Sequence, residues 1–324
     1  MKKIVWVFLG LIIMQGCNLS SSEESEFNYN WERVAQFSRE QITAIHVSED
    51  NDLYVATGNK LYKSFDINST YLRVNSPDSA NIVKIKIFQD RMLILANVFD
   101  ESLGHFGEDV SFVYQSLDDG ITWQEIVSGF AMQDITYHNN RIHIGRINGI
   151  ATIDLETDNI FFSPIVESKL NDEMEEIEVS PDGTIAVSCH EGVFISENNG
   201  DTWTEIGTDI HKDDDWIEAI EFNGSEIFAL ETSRVYRIDL ITNAVETHKG
   251  FVGYEELELT NTGEIVKLGV SKLGVAYQNN LSFQNIYPTE ISVDRLNLSF
   301  VDSFADGTLA ITAGEKLFIA KRIN

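Results

Sequence analysis

Positive charge is scarce in this sequence of 324 residues, where 23 Lys and Arg stand against 52 Asp and Glu. The formal charge of −29 repels phosphate backbones and anionic lipid surfaces, which argues against nucleic acid as a partner. Cysteine is scarcer still, with only Cys17 and Cys189 present. Cys189 closes the apolar run Ile185–Cys189 with no Lys or Arg neighbour to lower its thiol pKa, so it reads as a small core residue and not a reactive thiol. No apolar run reaches the ~20 residues of a transmembrane helix. The seven histidines are scattered, and His-Glu-x-x-His, Cys-x-x-Cys, phosphate-loop and Gly-x-Ser-x-Gly patterns are missing. These absences argue against transition-metal and nucleotide chemistry. His46, His138 and His143 fall on or beside predicted strands, as solvent-facing or hydrogen-bonded side chains.

What is present describes a folded protein. Hydrophobic residues make up 43% of the chain and aromatics 10%, enough for a large core without low-complexity bias. The surplus carboxylates suit a cation, a basic protein surface or, most plainly, solubility in a salty exterior.

The N-terminus carries an export signal. Lys2 and Lys3 precede an apolar run, Ile4–Met14, and Gly16 precedes Cys17. Met14, Gln15, Gly16 and Cys17 resemble the lipobox of bacterial lipoproteins, which implies cleavage after residue 16 and acylation of Cys17. An acylated Cys17 leaves no intramolecular disulfide, so stability must come from packing. Residues 17–27, polar and acidic with three consecutive serines, read as a linker between the membrane and a body at 28–324. An acidic Ser-rich stretch after the lipidated Cys also resembles the surface-export signals of Bacteroidetes-type lipoproteins. That resemblance implies a lipid-anchored protein of the cell envelope, at the outer membrane and on the cell surface. Each buried acyl CH₂ adds about 0.8 kcal/mol, so the acyl chains suffice as an anchor without a membrane span.

The body repeats itself. Alternating segments centre on Ile45-His46-Val47, Ile85-Lys86-Ile87, Ile135-Thr136-Tyr137, Ile177-Glu178-Val179, Ile220-Glu221-Phe222, Leu257-Glu258-Leu259 and Leu298-Ser299-Phe300. Their starts are spaced by 40, 50, 42, 43, 37 and 41 residues, the period of a four-stranded propeller blade. A turn rich in Asp, Asn and Gly follows each, then second and third strands. Outer fourth strands are predicted in six units, at Tyr71–Val74 and Phe161–Ile165 among others, but the seventh unit ends without one. Trp31–Phe37 has the composition of the missing strand. Pairing it with Leu317–Ala320 closes the ring, so the predicted fold is an all-β, seven-bladed β-propeller whose N-terminal strand completes the last blade.

Two turns carry a family resemblance. Ser116, Asp118, Gly120, Thr122 and Trp123 match the Asp-box of BNR repeats, Ser-x-Asp-x-Gly-x-Thr-Trp. Ser196, Asn198, Gly200, Thr202 and Trp203 match it with Asn in place of Asp. Looser units such as Ile42–Phe65 are similar to repeats of sensor-type propellers in bacterial two-component regulators. The chemistry of the box is structural: a carboxylate or amide accepts from turn N–H groups, glycine permits the bend, and tryptophan covers the hairpin.

Sialidases also contain Asp-boxes, and the resemblance implies three arginines, a Tyr nucleophile assisted by Glu, and an Asp acid/base. The early Arg-Ile-Pro signature of that family is absent, and Arg33, Arg39 and Arg73 sit in no such motif. Tyr137 and Glu231 are the available nucleophile and partner.

Two long acidic loops complete the picture. The link within blade two holds Asp100, Glu101, His105, Glu108 and Asp109, and the link into blade five holds Asp213, Asp214 and Asp215 before Trp216. Both are placed on the binding face. Such carboxylates can hold Ca²⁺, although neither loop has EF-hand spacing. The expected function is a non-enzymatic protein-binding or scaffold module, with a glycan-binding module or sialidase-like hydrolase as the alternative and no cofactor expected.

Overall fold

The computed structural model describes residues 27–37, 40–65, 70–77, 80–88, 91–99, 109–146, 149–164, 174–190, 192–208, 210, 216–249, 254–269, 272–286 and 298–323. Strand β1 (Tyr29–Val34) runs into a short 3-10 turn at Ala35–Phe37 and then into blade one: β2 (Ala44–Val47), β3 (Leu53–Thr57), β4 (Lys60–Ser64) and β5 (Leu72–Val74). Blade two holds β6 (Asn81–Phe88), β7 (Arg91–Phe99), β8 (Asp109–Ser116) and β9 (Gln124–Phe130). Blade three holds β10 (Met132–His138), β11 (Arg141–Arg146), β12 (Gly149–Asp154) and β13 (Asn159–Ser163). Blade four holds β14 (Met174–Val179), β15 (Ile185–Cys189), β16 (Gly192–Ser196) and β17 (Thr204–Ile206). Blade five holds β18 (Ile217–Asn223), β19 (Glu226–Glu231), β20 (Arg234–Asp239) and β21 (Val245–Lys249). Blade six holds β22 (Tyr254–Leu259), β23 (Glu264–Gly269), β24 (Lys272–Tyr277) and β25 (Asn280–Ile286). Blade seven is β26 (Leu298–Ser303), β27 (Leu309–Ala313) and β28 (Lys316–Arg322), with β1 as its outer strand.

The protein is therefore a seven-bladed β-propeller of antiparallel four-stranded sheets. The inner strands β2, β6, β10, β14, β18, β22 and β26 neighbour one another in turn, and β26 meets β2 to close the ring. Burial follows the radius. Second strands such as β3, β15 and β23 lie between neighbouring blades and are buried at every residue, which is why they read as apolar runs. Inner strands mix buried and half-buried residues because one set of side chains faces the central channel. Outer strands β5, β13 and β21 bury no residue.

Ring closure is built from aromatics. Phe27, Tyr29 and Trp31 join Leu309, Ile311 and Phe318 in one buried cluster, and β1 pairs with β28 from Tyr29↔Arg322 to Val34↔Leu317. Phe27, the last residue of the expected linker, packs 4.8 Å from Tyr277. The closing strand is shorter than Trp31–Phe37. Phe37 leaves the sheet to pack edge-on against Tyr62 and Tyr71, so the chain turns at Ala35 to reach blade one.

Two further expectations shift. The outer strand of blade three is Asn159–Ser163, not Phe161–Ile165, because Asp154 accepts from the N–H groups of Glu156 and Thr157 and the tight turn returns to pairing at Asp154↔Asn159. In blade two the ladder runs on to Phe99↔Asp109, so Asp109 belongs to a strand and not to the long loop. Cys189 is buried as expected, with its Sγ 3.6 Å from the Gly192 carbonyl.

Candidate functional site: the central channel

The channel is set by a defect shared among blades. In β6, β10, β14, β18, β22 and β26 a bulge interrupts the pairing with the next strand near the start of the inner strand. The extra residue bends the strand, and the positions beyond it turn their side chains into the ring. Channel positions just past the bulges hold Lys84, Asp134, Glu176, Ala219 and Glu256, and those two residues further on hold Lys86, Thr136, Glu178, Glu221, Glu258 and Asp302. His46 of the unbulged β2 joins this second level. The cavity is about 310 Å³, with Gln133, Glu175 and Glu218 from the bulges at its mouth.

Each inner strand is a sheet edge, and its unpaired backbone N–H groups need acceptors. Carboxylates supply them across blade boundaries. Asp134 accepts from the Ile177 N–H at 3.2 Å, Glu176 from Ile220 at 2.8 Å, Glu256 from Val301 at 2.7 Å and Asp302 from Val47 at 2.8 Å. Four of the seven blade junctions are thus stitched by an acid of one blade and the backbone of the next.

Cations offset only part of the charge. Lys86 pairs with Glu178 at 2.8 Å, Lys84 lies 3.5 Å from Asp134 and 3.9 Å from Glu176, and His46 Nδ1 is 3.2 Å from Asp302. Seven carboxylates inside the channel (Asp134, Glu176, Glu178, Glu221, Glu256, Glu258 and Asp302) surround two lysines among the described residues. Burial pushes Glu176 up to about 7 and Glu256 up to about 8. Glu221 and Glu258 rise well above the usual carboxylate range, through burial first and then through their acidic neighbours. Burial disfavours charge on Lys84 and Lys86 as well, but the surrounding acids outweigh it and hold both amines protonated. Bringing in a further cation relieves this repulsion.

The sequence-predicted site residues are distributed differently. Cys17, Asp100, Glu101, His105, Glu108, Asp213, Asp214 and Asp215 lie outside the described residues, and of Asp109 only its place in β8 is described. Antiparallel order places the end of β7 and the starts of β8 and β18 on the face where inner strands begin, the same face as the channel mouth. There Trp216 packs edge-on against His190 at 5.1 Å and is 36% exposed. No three His, Cys, Asp or Glu side chains among the described residues are arranged to hold one metal ion.

The two Ser-to-Trp turns lie on the opposite face and act as staples. Asp118 accepts from the Thr122 N–H at 2.8 Å, the Thr122 hydroxyl at 2.6 Å and the Ser116 hydroxyl at 2.8 Å, while Ser116 Oγ accepts from Gly120 N–H at 2.8 Å. Asn198 accepts from the Thr202 N–H at 2.9 Å and donates to the Thr202 hydroxyl at 2.9 Å. The first turn also grips blade one: Trp123 Nε1 donates to the Asn75 carbonyl at 2.9 Å, and Asp119 lies 3.1 Å from Lys63.

Tyr137 and Glu231 do not form a catalytic pair. Tyr137 sits at the far end of its inner strand from the channel mouth, against Phe88 and under Arg91. Glu231, buried at the mouth end of β19, is occupied by Arg234 at 2.7 Å and by the Tyr236 hydroxyl. Arg33 and Arg73 are exposed on outer strands, and Arg39 lies outside the described residues. His143 is buried and bonded to Thr152 at 2.9 Å, and burial lowers it to about 4, so it stays neutral.

No protein-family description and no curated protein matches the sequence. Solved structures match the fold. A streptogramin B lyase aligns with a TM-score of 0.71 at 13% identity, over 91% of this chain and 98% of that one. YCF48 bound to D1 peptide aligns at 0.65 and 14% identity, over 92% and 98%. The extracellular domain of the putative one component system BT4673 from B. thetaiotaomicron aligns at 0.70 and 11% identity over 91% of this chain, which spans only 40% of that one. At these identities the likeness is one of fold.

Proposed function

We propose that the protein is a non-enzymatic binding module of the cell envelope, held by a lipid on Cys17, whose channel mouth receives a basic segment of a protein partner. The carrying observation is the cluster of seven channel carboxylates around two lysines, behind a mouth lined by Glu175 and Glu218. A lysine or arginine entering there exchanges water for charge-assisted bonds in a low-dielectric site, where such bonds are strong. Placement in the envelope is supported by the export signal and Gly16-Cys17, and protein binding by the peptide held by YCF48, a propeller of the same fold.

Cross-linking in intact cells, followed by mass spectrometry, tests the reading. A recurrent partner lost on Glu175→Gln with Glu218→Gln is the expected result. Turnover of a fluorogenic glycoside, abolished by a channel carboxylate variant, overturns it in favour of a sialidase-like hydrolase.

A further inference from the structure

Outer strands are open edges, and this fold protects them with one exception. Five of the seven carry charge: Glu32 and Arg33 on β1, Arg73 on β5, Glu125 on β9, Glu205 on β17, and Glu246 with Lys249 on β21. Charge on an edge discourages pairing with a foreign strand. β25 has none, but it buries Leu281 and Ile286. β13 has neither protection. Its Asn-Ile-Phe-Phe-Ser sequence is uncharged, and Ile160, Phe161 and Phe162 are 58%, 53% and 54% exposed. β12 pairs with one side of β13, and no described strand pairs with the other.

The surroundings of β13 are shaped. Ile160 faces blade two across a groove of about 450 Å³ that also contains Ile126, Leu155 and Leu117, the last 63% exposed. Phe162 lies over the bare backbone of Gly149, where a Cβ would meet its Cζ at 2.9 Å. Phe161 projects to the other side, as alternation along a strand requires. The groove's charged side chains are Arg91, Glu125 and Asp158, and Arg91 is already engaged by Gln115 and the Tyr137 ring.

We infer that β13 is a second docking site, which takes an extended apolar peptide segment of a partner protein, flanked by basic residues, as a fifth strand of blade three. Backbone bonds to the open edge give affinity, and the groove between β9 and β13 gives a pocket for alternate side chains. Two observations choose this occupant over a second copy. A five-residue edge falls well short of the ~1,200 Å² that a stable interface buries. Pairing two copies would also bring together two chains of charge −29, whereas a basic segment gains from that charge.

The test uses fluorescence anisotropy of the labelled peptide Lys-Lys-Val-Ile-Val-Ile-Val-Lys-Lys with the full-length protein. Saturable binding is expected. It should weaken by about tenfold or more for a peptide of equal charge with proline at its centre, and equally for Phe162→Lys protein. Phe161→Lys, on the other face of the strand, serves as the second variant, and circular dichroism checks that both fold. No binding, or binding indifferent to the proline and to both variants, overturns the inference. So does a concentration-dependent dimer in sedimentation that Phe161→Lys abolishes, or vesicle binding that Phe162→Lys abolishes without any peptide binding.

Discussion

Asp118 and Asn198 perform the same task with different chemistry. Each side chain presents an oxygen to a threonine N–H and contacts that threonine's hydroxyl, as acceptor in the first case and donor in the second. Charge is therefore dispensable and shape is not. Asp118→Asn should leave thermal unfolding nearly unchanged, whereas Asp118→Ala removes three acceptor contacts and should lower the melting temperature by about 2 °C or more, as scanning calorimetry would show. These turn residues were legible because their spacing is local, and the side-chain bonds join residues two to four positions apart. The channel acids were not legible as such. Glu178, Glu221 and Glu258 each stand at the middle of a predicted strand, but period-two alternation does not say which face looks into a ring. In blade seven the irregular pairing between Leu298 and Val301 moves the channel position from Ser299 to Asp302, a shift that alternation alone cannot announce.

At the level of elements, β1 carries more than its length implies. Tyr29 and Trp31 are buried in the blade-seven cluster, and Arg322 of the paired β28 reaches across to the buried Glu264 of blade six and to Tyr277 at 2.7 Å. Trp31→Ala should cost about 3 kcal/mol by denaturant titration, the usual result of emptying a buried tryptophan site. Loss of β1 also exposes the β28 edge, so increased aggregation should accompany the loss of stability. The closing role of this segment followed from counting strands. Its end did not, because the turn at Ala35 is dictated by where Phe37 finds Tyr62 and Tyr71, residues of another blade. The six bulges likewise leave no local sequence mark beyond one extra residue in a strand.

For the whole molecule, the acidic balance has an interior share. Folded Glu176 and Glu256 titrate near 7 and 8, above their unfolded value, so between pH ~4.5 and ~8 the folded state holds protons that the unfolded chain has released. Stability must then fall as pH rises through that window. Asp118, Asp154, Asp182 and Asp239 are shifted down by hydrogen bonds, so their contribution is lost only at more acid pH. The melting temperature should be highest near pH 5 and lower by roughly 5 °C at pH 8. Glu256→Gln, which keeps an acceptor for the Val301 N–H, should flatten that decline. A melting temperature that rises steadily from pH 5 to pH 8 would show that these acids are ionised throughout.

The pairing of β1 with β28 also fixes an order in time. Residue 29 finds its partner at residue 322, so the first strand of the propeller to be synthesised waits for the last strand of blade seven. Until then blade seven lacks its outer wall, and the aromatic side chains of β1 have no site in which to bury. Contacts of such long sequence separation form slowly. The same latch that seals the finished ring leaves the growing chain with an open ring until β28 has been made.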